Sequence, residues 1–119
     1  MAVSHDGGTT FRVTPMSGNR PSSAREPIFA LEPKSGRLSL IWREDTPMQG
    51  IYLQSTDSGD TWSQPLAVDT PARQFMVEDD GRYIYVSYLK KLMLTASMII
   101  KFSLPSLMMV ATHFLTRKT

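Results

Sequence analysis

Charged side chains that could do chemistry stand at three places in this 119-residue chain. Arg25 and Arg73 come just before apolar runs, and Arg43-Glu44-Asp45 closes an alternating one. A guanidinium holds a planar anion through two parallel N–H···O bonds, so Arg25, Arg43 and Arg73 are the candidate ligand-binding residues. Glu44 or Asp45 could supply an acid beside them, and these two are the candidate catalytic groups. The competing reading is a solvated surface, where loop arginines and carboxylates usually sit. Other chemistries are excluded. The chain has no cysteine, which removes disulfides, thiolate metal sites and cysteine nucleophiles, and leaves the redox compartment open. His5 and His113 have no partner at metal-ligand spacing, and no phosphate-binding glycine loop is present, so no cofactor or metal is expected.

The elements that must position these groups follow from alternation and turn residues. Residues 27–32 are nearly all apolar, as for an inner strand buried on both faces. Lys34-Ser35-Gly36 is a turn. Residues 37–43 place Leu38, Leu40 and Trp42 opposite Ser39, Ile41 and Arg43, and residues 50–55 alternate again. Residues 62–68 give a fourth strand. Residues 73–78 and 82–88 form a further pair joined at Glu78-Asp79-Asp80-Gly81, with Tyr83, Tyr85 and Tyr88 expected to fill the gap between sheets.

Between the third and fourth strands lies Ser55-Thr56-Asp57-Ser58-Gly59-Asp60-Thr61-Trp62, which reads Ser-x-Asp-x-Gly-x-Thr-Trp. Ser4-His5-Asp6-Gly7-Gly8-Thr9-Thr10-Phe11 repeats it 51 residues earlier with Phe for Trp. A second register supports the first, since Gly36-Arg37-Leu38 aligns with Gly81-Arg82-Tyr83 at an offset of 45. Such a period suits one propeller blade. Glycine supplies a positive φ, Asp, Ser and Thr bond the turn's own backbone, and the aromatic buries its ring. A calcium loop is excluded at Asp57, because Gly59, Thr61 and Val68 would occupy its third, fifth and twelfth positions.

These residues resemble the Asp-box, the bacterial neuraminidase repeat of sialidases and several other propellers, over residues 1–89. The resemblance implies an all-β fold: a partial β-propeller with one complete four-stranded antiparallel blade and parts of two neighbours. It also implies that the boxes (Ser4, Asp6, Gly8, Thr10, Phe11; Ser55, Asp57, Gly59, Thr61, Trp62) are architecture on the face away from the active site. Ligands would then meet the opposite loops, residues 15–26, 44–49 and 69–72, with Arg20, Arg25, Glu26, Arg43, Glu44, Asp45 and Arg73 at or beside them. Sialidases hold a substrate carboxylate on arginines, use an aspartic acid as general acid/base, and pair a nucleophilic tyrosine with a glutamate. Their early Arg-Ile-Pro motif has only an imperfect echo in Arg12-Val13-Thr14-Pro15, and no tyrosine here is assigned as nucleophile. The resemblance implies a fragment of a sialidase-like exo-glycosidase or glycan-binding propeller, inactive alone, whose partner is a sialylated or other glycan. The alternatives are a non-catalytic scaffold module and a small membrane-attached protein.

Residues 90–119 read as a separate tail. They carry five basic and no acidic side chains, against eight basic and eleven acidic in residues 1–89, so the chain's +2 charge arises there. The box-bearing part is net acidic, which excludes a nucleic-acid surface. The tail has no glycine and four of the eight methionines, and lacks a third box near residue 105. It is expected to be an apolar, helix-compatible segment foreign to the propeller, as after a frameshift. Lys101 and Pro105 argue against membrane insertion. No signal peptide is visible and the localisation is open; uncovered blade edges should favour self-association.

Overall fold

The computed structural model describes residues 1–13, 25–45, 47–90, 96–103 and 108–116, with the side chains of all but Ala96 and 108–116. Arg20 and most of the 15–26 loop lie outside the described residues. Every regular element described is a β-strand and every strand pairing is antiparallel. A hairpin of β1 (Ala2–Val3) and β2 (Arg12–Val13) precedes a meander of β3 (Arg25–Glu32), β4 (Arg37–Asp45), β5 (Met48–Ser55) and β6 (Leu66–Ala67). A second four-stranded meander follows, made of β7 (Ala72–Asp79), β8 (Tyr83–Lys90), β9 (Ala96–Ser103) and β10 (Met108–Thr116). Neither sheet closes on itself.

The first meander is the four-stranded unit expected between residues 27 and 68, with a shorter last strand. β6 pairs only Leu66 and Ala67 with Tyr52 and Ile51, although Ser63 N and Val68 N also donate to Gln54 O and Gly50 O. Its central strands are buried on both faces, which is why β4 and β5 read as apolar on alternate and intervening positions alike. On one face Leu40, Trp42, Ile51, Leu53 and Trp62 form a cluster closed over by Met1. On the other, Ile41 and Tyr52 meet Phe75, Val77, Ile84, Val86, Tyr88, Ile100 and Phe102 of the second sheet.

Three expectations are corrected. The tail is not helical: β9 and β10 pair on from β8, so the sheet runs straight through the boundary drawn at residue 89. Met98, Ile100 and Phe102 turn toward the core while Lys101 lies over the Tyr83 ring at 3.8 Å, the alternation of a strand with one buried face. Among the described residues no helix is long and apolar enough to cross a membrane. Second, β3 is buried on one face only. Ile28 and Ala30 pack on the second sheet, but Phe29 and Leu31 are exposed, because the hairpin meets the second box at Gly59 and Asp60, and Met1 packs on the β4–β5 cluster, without either reaching β3. Third, of the three tyrosines expected between the sheets, Tyr88 alone lies there, stacking on Phe75 at 5.2 Å. Tyr83 and Tyr85 alternate to the outer face, edge to face at 6.3 Å.

Candidate functional site

The two boxes adopt one hydrogen-bond pattern. Ser55 Oγ donates to Asp57 Oδ1 (2.8 Å) and accepts from Gly59 N (2.9 Å), while Asp57 Oδ1 accepts from Thr61 N (2.8 Å) and its Oδ2 from Thr61 Oγ1. Ser4, Asp6, Gly8 and Thr10 repeat each bond, with Gly8 N to Ser4 Oγ and Thr10 N to Asp6 Oδ1 both at 2.8 Å. Gly8 and Gly59 have φ of 89° and 87°, where an L side chain is strained. The aromatics differ. Trp62 is buried and its indole N–H donates to Gly59 O at 3.1 Å, whereas Phe11, without a donor, is 65% exposed. The boxes also touch each other: His5 and Arg12 both pair with Asp60 of the second, and Val3 lies against Gly59.

Within each box the bonds run from N–H or O–H to oxygen, so the Asp6 and Asp57 carboxylates are spent on their own turns, while Asp60 holds the two boxes together. The Thr10 hydroxyl and amide lower Asp6 to about 2, and Thr61 does the same for Asp57. Because both lie below the ordinary carboxylate value of 3.8, each box is intact above that pH and loosens as pH falls through about 2. The Thr10 and Thr61 amide resonances should therefore titrate together with midpoints near 2; midpoints near 3.8 would mean the carboxylates do not hold the turns.

The box turn joins β5 to β6, and the β3–β4 turn shares its end of the sheet. The β4–β5 and β6–β7 connections therefore lie at the opposite end, where the predicted charged residues are found. Arg25 and Arg43 are register partners on β3 and β4. Asp45 lies between them, with Oδ2 at 3.2 Å from Arg25 Nε and Oδ1 at 3.1 Å from Arg43 Nε. The second contact is ionic only, since the buried Arg43 N–H is not aligned on any acceptor. Glu26 Oε1 approaches Arg43 Nη1 at 3.5 Å. Glu44 does not join them. Alternation turns it to the other face, where it is buried, accepts from Gln49 Nε2 at 3.2 Å and lies 3.5 Å from Trp42 Nε1. Of the two acids, only Asp45 faces the arginines. Arg73, the second residue of β7, stands at the same end, exposed and with no polar partner among the described residues.

Two features here escaped the sequence reading. Directly after Arg25 and Arg73, Glu26 and Gln74 have φ of 52° and 57°, and in both strands the register shifts within the next residues. Each is a bulge that re-aims the strand start, and β3 lies against β7. The signal was the pair Arg25-Glu26 and Arg73-Gln74, 48 residues apart. The other is a cluster on the β6–β7 loop. Asp69 accepts from Tyr88 Oη at 2.6 Å and Lys90 Nζ at 2.5 Å, and Lys90 also donates to Thr70 O. Burial raises the Asp69 carboxyl, but the Lys90 and Tyr88 bonds outweigh it and leave it lowered. Burial, then Asp69, raises the Tyr88 phenol, so it stays a hydrogen-bond donor at neutral pH. Tyr88, with Gln74, Ser87, Leu89, Ser97, Met98 and Ile99, lines a shallow cleft of about 260 Å³. No group of three His, Asp or Glu among the described residues could hold a metal ion.

Fold and site together define an all-β protein of stacked antiparallel meanders with arginines at one end. No protein-family model, curated protein or solved structure matches the chain.

Proposed function

We propose that the chain forms blades of an Asp-box β-propeller of the sialidase kind, and that its charged end binds a carboxylated glycan without turning it over. The observation that carries this reading is the repetition at both ends of the meanders. Identical box networks stiffen hairpin turns 51 residues apart, and bulged arginines start β3 and β7 at the other end. Two four-stranded sheets packed face to face suit neighbouring blades, and four to eight blades usually close a ring. Catalysis needs more than this end offers. Asp45 is already shared between Arg25 and Arg43, and the Tyr88 phenol is held protonated by burial and Asp69.

Binding and turnover are separated by one pair of measurements. With a fluorogenic sialoside the chain alone should release no fluorophore. A free sialic acid or uronic acid should perturb the Arg25 and Arg73 side-chain resonances. Arg73→Ala should weaken that binding about tenfold or more, the scale of one charge-assisted hydrogen-bond pair. Binding unchanged by both Arg25→Ala and Arg73→Ala would favour the scaffold reading, in which the boxes serve architecture alone.

A further inference from the structure

An outermost strand offers a row of unpaired N–H and C=O groups to any second chain, and sheet proteins normally blunt it with shortness, proline, bulges or charge. Most outer strands described here are blunted in these ways. β6 has two residues, as do both strands of the hairpin. β3 carries Pro27, the bulge at Glu26, and the charges of Arg25, Glu26 and Glu32. β7 carries the bulge at Gln74 and the charges of Arg73, Glu78 and Asp79.

β10 is different. After a register shift between Met109 and Ala111, residues Ala111 to Thr116 pair without interruption against Lys101 to Ala96. That stretch, Ala-Thr-His-Phe-Leu-Thr, contains no proline, glycine, lysine, arginine, aspartate or glutamate. Its threonines and phenylalanine favour extended backbone. A six-residue segment that is uncharged, proline-free and rich in strand formers is the kind that pairs with its own copy.

We infer that β10 is a self-pairing edge, and that its occupant is β10 of a second copy, running antiparallel across a two-fold axis. The partner is a second copy because a two-fold normal to the sheet sets any strand antiparallel to itself and yields a closed dimer. The stretch brings no like charges together in doing so. The same symmetry restricts the register. Opposed residues point to one side of a sheet, and the two-fold preserves sides, so some residue must face its own copy. The registers that keep the longest run of pairs within Ala111 to Thr116 place His113 or Phe114 on the axis. The two four-stranded sheets then become one of eight.

The absence of native cysteine makes the test direct. Sedimentation velocity of the full chain in a concentration series should show a monomer–dimer equilibrium. Separate His113→Cys and Phe114→Cys chains, treated with a short bismaleimide, should give cross-linked dimer from at least one of them. Thr9→Cys, in the exposed first box, should not. Thr112→Lys should weaken dimerisation about tenfold by setting charge into the paired edge. A monomer at every concentration overturns the inference. So does a dimer that neither β10 thiol captures, a dimer that Thr9→Cys captures equally well, or a monomeric chain whose β10 amides become protected only on adding an unrelated extended peptide.

Discussion

Replacing Asp79 by alanine is expected to lower the stability of the fold by about 3–5 kcal/mol, the usual cost of removing one member of a buried ion pair. Arg37 starts β4 in the first sheet and Asp79 ends β7 in the second. Arg37 Nε and Nη2 donate to the two carboxylate oxygens at 2.7 and 2.8 Å, a bidentate clamp between the sheets. The Asp79 side chain is fully buried and that of Arg37 is 12% exposed. Their attraction therefore acts with little screening by water, and the Asp79 hydrogen bonds are the first reason the guanidinium is raised above its ordinary value. Asp79 Oδ1 also accepts from Gly81 N at 2.9 Å and so fixes the β7–β8 turn. Without the carboxylate, the guanidinium keeps only the weaker attraction of Glu32, its register partner, whose carboxylate is already bonded to Ser35 and Lys34. The Tyr52 phenol nearby, which burial pushes up to about 12, stays neutral and cannot replace Asp79. Since whole domains are stable by only about 5–15 kcal/mol, much of the fold's margin would go. Guanidinium chloride denaturation at pH 7 measures the loss, and one below about 1 kcal/mol would show that the pair is not desolvated. The double replacement Arg37→Met with Asp79→Leu should recover most of it, because removing both charges leaves neither unpaired.

This clamp also marks the limit of what the sequence disclosed. The boxes were legible because each is a local device: Asp57 bonds only Ser55, Thr61 and its own turn, all within eight residues. β4, β5 and β8 were legible for the related reason that period-two alternation is local, whereas β3 was legible only as an apolar run before a turn, which misjudged its outer face. The Arg37–Asp79 pair spans 42 residues and two sheets, and nothing in either neighbourhood foretells it. The tail misled through composition. Loss of glycine and acidic residues suggested a foreign segment, although Ser97-Met98-Ile99-Ile100-Lys101-Phe102-Ser103 already carries core residues at alternate places. Lys101, which argued against a membrane helix, is an outward residue of β9 stacked on Tyr83. At the charged end, alternation separated Glu44 from Asp45, since neighbours in a strand face opposite ways. The bulges at Glu26 and Gln74 require positive φ from residues other than glycine, which sequence patterns seldom announce.

Gly50 shows how strongly the packing of the two sheets depends on a residue without alternation or turn to flag it. It lies in β5, opposite Arg43 in register, and its backbone does not need glycine's conformational freedom. The space above it is what requires glycine. A methyl group there would stand 2.4–2.8 Å from three carbons of the Phe75 ring, well inside contact distance. The ring has little room to retreat, because Phe75 is buried, stacked on Tyr88 and part of the cluster joining both sheets. Gly50→Ala should therefore cost about 1–3 kcal/mol, the range for overfilling a packed core, despite the better strand propensity of alanine. The diagnosis is specific enough to be tested by coupling. Phe75→Leu alone should destabilise by leaving a gap, and combined with Gly50→Ala it should cost clearly less than the two single losses together, since each change makes room for the other. Denaturation of the four chains of this cycle measures the coupling. Strict additivity would mean that the Phe75 ring does not rest on Gly50, and the account of how β7 seats against β5 would have to be replaced.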